Sequence, residues 1–185
     1  MTQEPLVLCP DDRMQALLET AGGQDEVVAL AAAERLSAEY PTDPRLHFLR
    51  GSMLAAGRRY PEAHAAMSRA VEVAPGYAIA RFQLGLLELS SGDPGSATRT
   101  WAPLQGLGEN NPLRLFASGL EHMARDEFEA AKACLERGIE LNQENPALNR
   151  DMRMVIAEMP SSGPDEPTSS VDFLLRQSAA KGTKH

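Results

Sequence analysis

The sequence predicts an all-α solenoid of antiparallel helical hairpins, on three observations. Residues 44–77 are followed by two blocks of equal length that repeat their small and apolar residues without a gap, a period of 34. Each block contains two stretches of roughly a dozen residues with apolar side chains three and four apart, the spacing of a helix with one buried face. Proline and glycine punctuate the joins: Pro44, Pro61 and Pro112 stand at first-turn places, and Gly57 and Gly92 lie between the two stretches. A proline there costs little, because the first-turn N–H has no intrahelical partner anyway. A period of this size marks units that can bury their apolar faces only against a neighbour.

The columns of the repeat carry the packing. Gly51, Gly85 and Gly119 share one place, Ala63, Ala97 and Ala131 a second, and Phe48, Phe82 and Phe116 a third. Met67, Trp101 and Leu135 share a bulky place, Ala70, Leu104 and Gly138 a smaller one, and Val73, Leu107 and Leu141 an aliphatic one. Small residues such as Gly51 and Ala63 let two antiparallel helices approach closely, while Met67 and Trp101 fill the groove between them.

The pattern resembles the tetratricopeptide repeat family over residues 44–145. The likeness rests on the period, the small residue at the eighth place, the alanine at the twentieth, the bulky residue four places later and Pro75 closing the first unit. The family's aromatic near the start of the first helix is replaced by His47, Arg81 and Leu115, and its closing proline by Glu109 and Gln143. The resemblance implies a right-handed α-solenoid of three clear repeats (44–77, 78–111 and 112–145), with one divergent N-terminal repeat and a C-terminal capping helix.

Before the clear repeats, residues 1–9 form a lead and residues 10–43 the divergent repeat, with Ala29 in the alanine column, Pro41 in the closing one and Leu17 in the glycine column. Asp11 and Asp12 favour a helix N-terminus and Gly22 and Gly23 a turn. After the repeats, residues 146–159 read as the capping helix, with Leu148, Met152, Val155 and Met159 on one face. Residues 160–170 are a Pro-, Ser- and acid-rich linker. Residues 171–185 form a tail, and Ser169, at the end of the linker, with Asp172 makes a capping box ahead of Val171, Phe173, Leu174 and Leu175. A helix so short needs a surface to dock on.

Composition narrows the function. The length of 185 residues suits one extended helical domain, and a charged content of 24% does not mark the chain as globally disordered. Net charge is −8, of which −7 falls in residues 1–43, where nine acids face only Arg13 and Arg35. That argues against nucleic acid or an anionic membrane as the main partner. The lead holds only a four-residue apolar run with no basic start, so it is neither a secretory signal nor a membrane span, and a cytoplasmic location is expected. Arginine outnumbers lysine fifteen to three, which hints at a bacterial coding sequence.

Chemistry-bearing motifs are absent from the pattern. Cys9 and Cys134 match neither a metal motif nor a disulfide scaffold, and Cys134 reads as a small core hydrophobe. His47, His64, His122 and His185 have no ligand-spaced partner on the same face, so no metal is expected. With no phosphate loop, nucleophile elbow or isolated carboxylate pair, the chain reads as a non-enzymatic binding module without a cofactor.

The resemblance further implies that the binding surface is the concave groove lined by the first helix of every hairpin, at the second, fifth, ninth and twelfth places. These are Arg45, Phe48, Ser52 and Ala55, then Ile79, Phe82, Leu86 and Leu89, then Leu113, Phe116, Leu120 and Met123, with Met14 and Leu18 continuing the row. Tetratricopeptide domains that grip an acidic chaperone C-terminus carry Lys, Asn and Arg there, so this row speaks against a carboxylate clamp. It suits the apolar anchors of a helical or extended protein segment instead. The same residues have a second reading, in which Leu86, Leu89 and Leu120 are core shared between hairpins and the Phe column packs on the next repeat. Two occupants fit a groove: a client segment, as in an adaptor or in type III secretion chaperones built of such repeats, or the chain's own Phe173, Leu174 and Leu175, giving autoinhibition or a homodimer.

Overall fold

A computed structural model describes residues 6–23 and 25–160. The fold is all-α: α1 (Asp11–Ala21), α2 (Glu26–Glu39), α3 (Pro44–Ala56), α4 (Tyr60–Val73), α5 (Ala78–Ser90), α6 (Pro94–Trp101), a 3-10 turn (Ala102–Gly106), α7 (Pro112–Met123), α8 (Phe128–Leu141) and α9 (Pro146–Glu158). The period is visible in the starts. Helices α3, α5, α7 and α9 begin 34 residues apart, as do α2, α4, α6 and α8. Caps follow the same rhythm: the side chains of Asp43, Asn111 and Asn145 accept from first-turn N–H groups, as do Asp25 and Asp93 in the second series. Each supplies an acceptor to donors the helix itself cannot satisfy.

The chain divides into two compact units, Met1–Leu87 and Glu88–His185, with the division inside α5. In the first unit α3 packs on α4, α2 on α3 and α1 on α2. One core cluster joins Cys9, Met14, Leu17, Ala33, Leu36 and Leu46; another joins Leu54, Ala63, Ala66, Met67, Leu84 and Leu87. Gly51 sits where α3 meets α4: a Cβ there would lie 2.6 Å from Met67 Cγ and 3.3 Å from Ala63 O. The small and bulky columns of the repeat therefore meet across one hairpin.

In the second unit α7 packs on α8, and α9 on α8. The close approach recurs, since a Cβ on Gly119 would lie 2.7 Å from Leu135 and one on Gly138 2.5 Å from Phe116. Leu148, Met152 and Val155 of α9 are buried, while Met159 is half-buried. Buried Asn142 and Asn149 close the turn before α9: Asn142 Nδ2 donates to Asn149 Oδ1 at 2.7 Å, and Asn149 Nδ2 donates to the Asn142 carbonyl at 2.8 Å.

Two features depart from the sequence reading. The second helix of the 78–111 repeat does not run its full dozen residues: α6 stops at Trp101 and a 3-10 turn follows. Pro103 has no N–H for the ladder and its ring would crowd the carbonyl four residues earlier, so the backbone tightens instead. The joins also rely less on Gly57 than expected. Its φ is −77°, and the left-handed residue is the next one, Arg58 at +60°. Gly92 at +83° and Asp126 at +59° occupy the same place of the later repeats. The tail residues Phe173, Leu174 and Leu175, and all of the linker beyond Pro160, lie outside the described residues.

Candidate functional site

The row expected to face a groove separates into two sets. Phe82, Phe116 and Leu120 are fully buried, and Leu89 and Met123 are 1% exposed. These five are core and have no side-chain surface to offer a partner. The reason is explicit at Phe116, whose ring lies against Gly138 of α8, so it fills the inside of the α7–α8 hairpin. The remaining members, Phe48, Ile79 and Leu86 in the first unit and Leu113 in the second, are half-buried. Phe48 meets Tyr77 edge-on, with centroids 5.6 Å apart and planes at 70°. Of the polar members of the row, Ser52 donates to the Phe48 carbonyl at 3.0 Å, and Met14 continues into core while Leu18 stays exposed.

Arg45, the one cation in the row, is already engaged. Its Nη2 donates to Asp43 Oδ2 at 2.8 Å and to the Cys9 carbonyl at 2.8 Å, and its Nε donates to Asp43 Oδ1 at 3.1 Å. The Asp43 carboxylate is wholly buried and also accepts from the N–H groups of Cys9 at 2.8 Å and Arg45 at 2.9 Å. Burial pushes its pKa up, but the Arg45 guanidinium and the two N–H donors outweigh this and hold it below the usual aspartate value. The result ties the lead onto the α2–α3 turn; Val7 N–H, donating to Thr42 Oγ1 at 2.8 Å, extends the tie. Sequence reasoning missed this clamp, for which spacing gave no signal.

A second missed feature is an open groove of about 530 Å³ in the first unit, lined by α2 and the end of α3, with Ala21 and Arg59 at its margins. Leu54 and Ala29 form its buried floor, and Val27, 78% exposed, stands on its rim with Glu26 and Glu34. The available signal was in α2, EVVALAAAERLSAE, where apolar residues cover more than one face of the helix.

Titratable groups elsewhere are modest. Burial pushes both thiols up, Cys9 inside the core and Cys134 half-buried, so each is held as the unreactive thiol. His122 Nδ1 lies 2.5 Å from Glu127 Oε2 at the α7–α8 turn, and that contact, with Arg125, lowers the Glu127 pKa. Among the described residues no group of three His, Cys, Asp or Glu side chains is arranged to hold a metal ion. None of the described helices is long and apolar enough to cross a membrane.

Repeated antiparallel helical hairpins set at a fixed 34-residue interval define the class of helical repeat proteins. A model of the tetratricopeptide repeat matches residues 28–78 and 54–102. Over those residues the chain is similar to the tetratricopeptide repeat, and its helical hairpins have that fold. Among solved structures it is similar to MamA from residue 41 to its end, from Desulfovibrio magneticus RS-1, at 12% identity and a TM-score of 0.58, covering 94% of this chain and 97% of that one. It is similar also to an ArsTM double mutant of MamA RS-1, at 10% identity and a TM-score of 0.58, with the same coverage. At such identities the likeness speaks for the fold alone. No curated protein matches the chain.

Proposed function

We propose that this protein is a non-enzymatic adaptor, chaperone-like in action, that holds an apolar segment of a protein partner against the first helices of its hairpins, in a bacterial cytoplasm. Protein partners in general follow from the tetratricopeptide fold. The observation that supports an apolar segment is the half-buried set on α3 and α5: Phe48, Ile79 and Leu86 lie in one unit at places where this fold presents side chains to a ligand. A carboxylate ligand is disfavoured, because the guanidinium of Arg45 already serves Asp43 and the Cys9 carbonyl. Apolar anchors filling successive pockets would supply the affinity, with main-chain and rim polar groups setting direction.

The test is a capture experiment with the full chain and its Phe48→Ala, Ile79→Ala, Leu86→Ala variant, after circular dichroism shows equal helicity. A partner recovered by the wild type and lost by the variant supports the reading. Recovery of the same partners by both sinks it.

A further inference from the structure

The groove between α2 and the end of α3 lies within the first unit, and none of Phe48, Ile79 and Leu86 lines it. Small side chains create it. Ala29 and Ala31 of α2, with Ala56 and Gly57 at the end of α3, leave the space between the two helices unfilled. Leu30, Met53 and Leu54 give it an apolar base, and Val27 carries that base to the surface. Its volume of about 530 Å³ falls in the range of pockets that enclose a ligand, about 300–1,000 Å³.

The rim sets the sign of what fits. Glu26 and Glu34 both line the groove at exposed positions, and neither forms an ion pair with a described residue. Asp25, which caps α2, stands beside Glu26. The one cation of the lining, Arg59, is already engaged, donating from Nε and Nη2 to the two carboxylate oxygens of Glu62. That bond, and to a smaller extent the charge of Glu34, holds its guanidinium above the ordinary pKa. The groove therefore offers apolar contact beneath an acidic rim, and a cationic, apolar partner complements both.

The walls set the partner's conformation. They are helices whose backbone groups bond internally, so an extended peptide would find no ladder for its own N–H and C=O groups. A helix brings its backbone bonds with it. Glu26 and Glu34 are eight residues apart on α2, about 12 Å along its axis at about 1.5 Å per residue. Two turns of a helix laid beside α2 cover nearly the same length.

We propose that the α2–α3 groove docks one amphipathic helix of a protein partner, its aliphatic side chains at i, i+3 and i+4 on Leu30, Met53 and Leu54 and two Lys or Arg side chains, two turns apart, facing Glu26 and Glu34. This is a second site, and it does not depend on the surface around Phe48.

The test is fluorescence anisotropy with the full chain and two fluorescein-labelled synthetic helical peptides. Both are alanine-based with leucines at i, i+3 and i+4; one carries lysines at two places two turns apart, the other glutamates there. The lysine peptide is expected to bind saturably and about tenfold more tightly than the glutamate peptide. Glu26→Lys with Glu34→Lys is expected to reverse that preference as attraction at the rim becomes repulsion. Ala31→Trp, at an exposed position, puts an indole into the groove and is expected to abolish binding while circular dichroism shows unchanged helicity. Phe48→Ala, Ile79→Ala and Leu86→Ala together are expected to leave binding unchanged, which separates this site from the other surface. Absence of saturable binding overturns the proposal, whether the groove is filled by a second copy or by the chain's own tail. So does equal affinity for the two peptides, binding that survives Ala31→Trp, or binding lost through the Phe48, Ile79 and Leu86 changes.

Discussion

Asp43 shows how one residue can hold several elements. Its carboxylate caps α3, pairs with Arg45 and accepts from Cys9 in the lead, all without solvent exposure. Because its folded pKa is depressed, its contribution is fully present above the unfolded aspartate value of about 3.9 and is lost as pH falls through the lower folded value. Chemical denaturation should therefore show stability dropping below about pH 4, and Asp43→Asn, which keeps a capping acceptor but cannot titrate, should flatten that part of the profile. At neutral pH Asp43→Ala should cost about 2–4 kcal/mol, from the lost cap and the orphaned partners. An unchanged acid limb in Asp43→Asn would show that the clamp does not carry this titration.

The phenylalanine column makes a second case at this scale. Phe116 is fully buried against Gly138, so Phe116→Ala should destabilise by about 3–5 kcal/mol in urea melts. Phe48 is half-buried and keeps one edge-on ring contact, so Phe48→Ala should cost only about 1 kcal/mol. Equal losses at the two positions would contradict the different environments. This difference was not legible in the sequence. Periodicity says which face of a helix is apolar; it does not say whether another helix covers that face, and identical residues in one column had the same signal.

Among the elements, helix starts were the legible part. Capping side chains and first-turn prolines act locally, within three or four residues, so their positions read directly from the sequence. The kinked end of α6 had a local signal too, Pro103, but the repeat pattern overrode it in the reading. The turn residue was legible in one repeat only: Gly92, read at a join, is left-handed, whereas Gly57 is not, and the same conformation falls on Arg58 and Asp126 in the other two. A side chain at such a φ is strained by about 1–2 kcal/mol, which glycine avoids while giving some of it back in unfolded-chain entropy. Arg58→Gly and Asp126→Gly should each therefore raise stability by a few tenths to about 1 kcal/mol, and Gly92→Ala should lower it by about 1 kcal/mol. Melting temperatures moving the opposite way in both sets would mean that these side chains make contacts worth more than the strain.

For the whole molecule, charge and exposed apolar surface coincide. The large hydrophobic side chains exposed among the described residues, Leu6, Val7, Leu8, Leu18, Val27 and Val28, all fall within residues 1–43, where the net charge of −7 also lies. Apolar side chains standing in an acidic field favour a partner that is both apolar and cationic, and they repel polyanions over a Debye length of about 10 Å at 0.1 M salt. At pH 7 the full chain should therefore pass unretained through immobilised heparin or duplex DNA, even at low ionic strength, because its 26 acids outnumber its 18 cations and their net field opposes a polyanion. Binding of a basic peptide should weaken steadily as salt rises towards about 1 M, where the Debye length contracts to about 3 Å. Retention on the polyanion would show that local cations such as Arg50 and Arg58 outweigh the net field. A salt-independent peptide affinity would assign the binding to the apolar contacts alone, with the acidic residues serving only solubility.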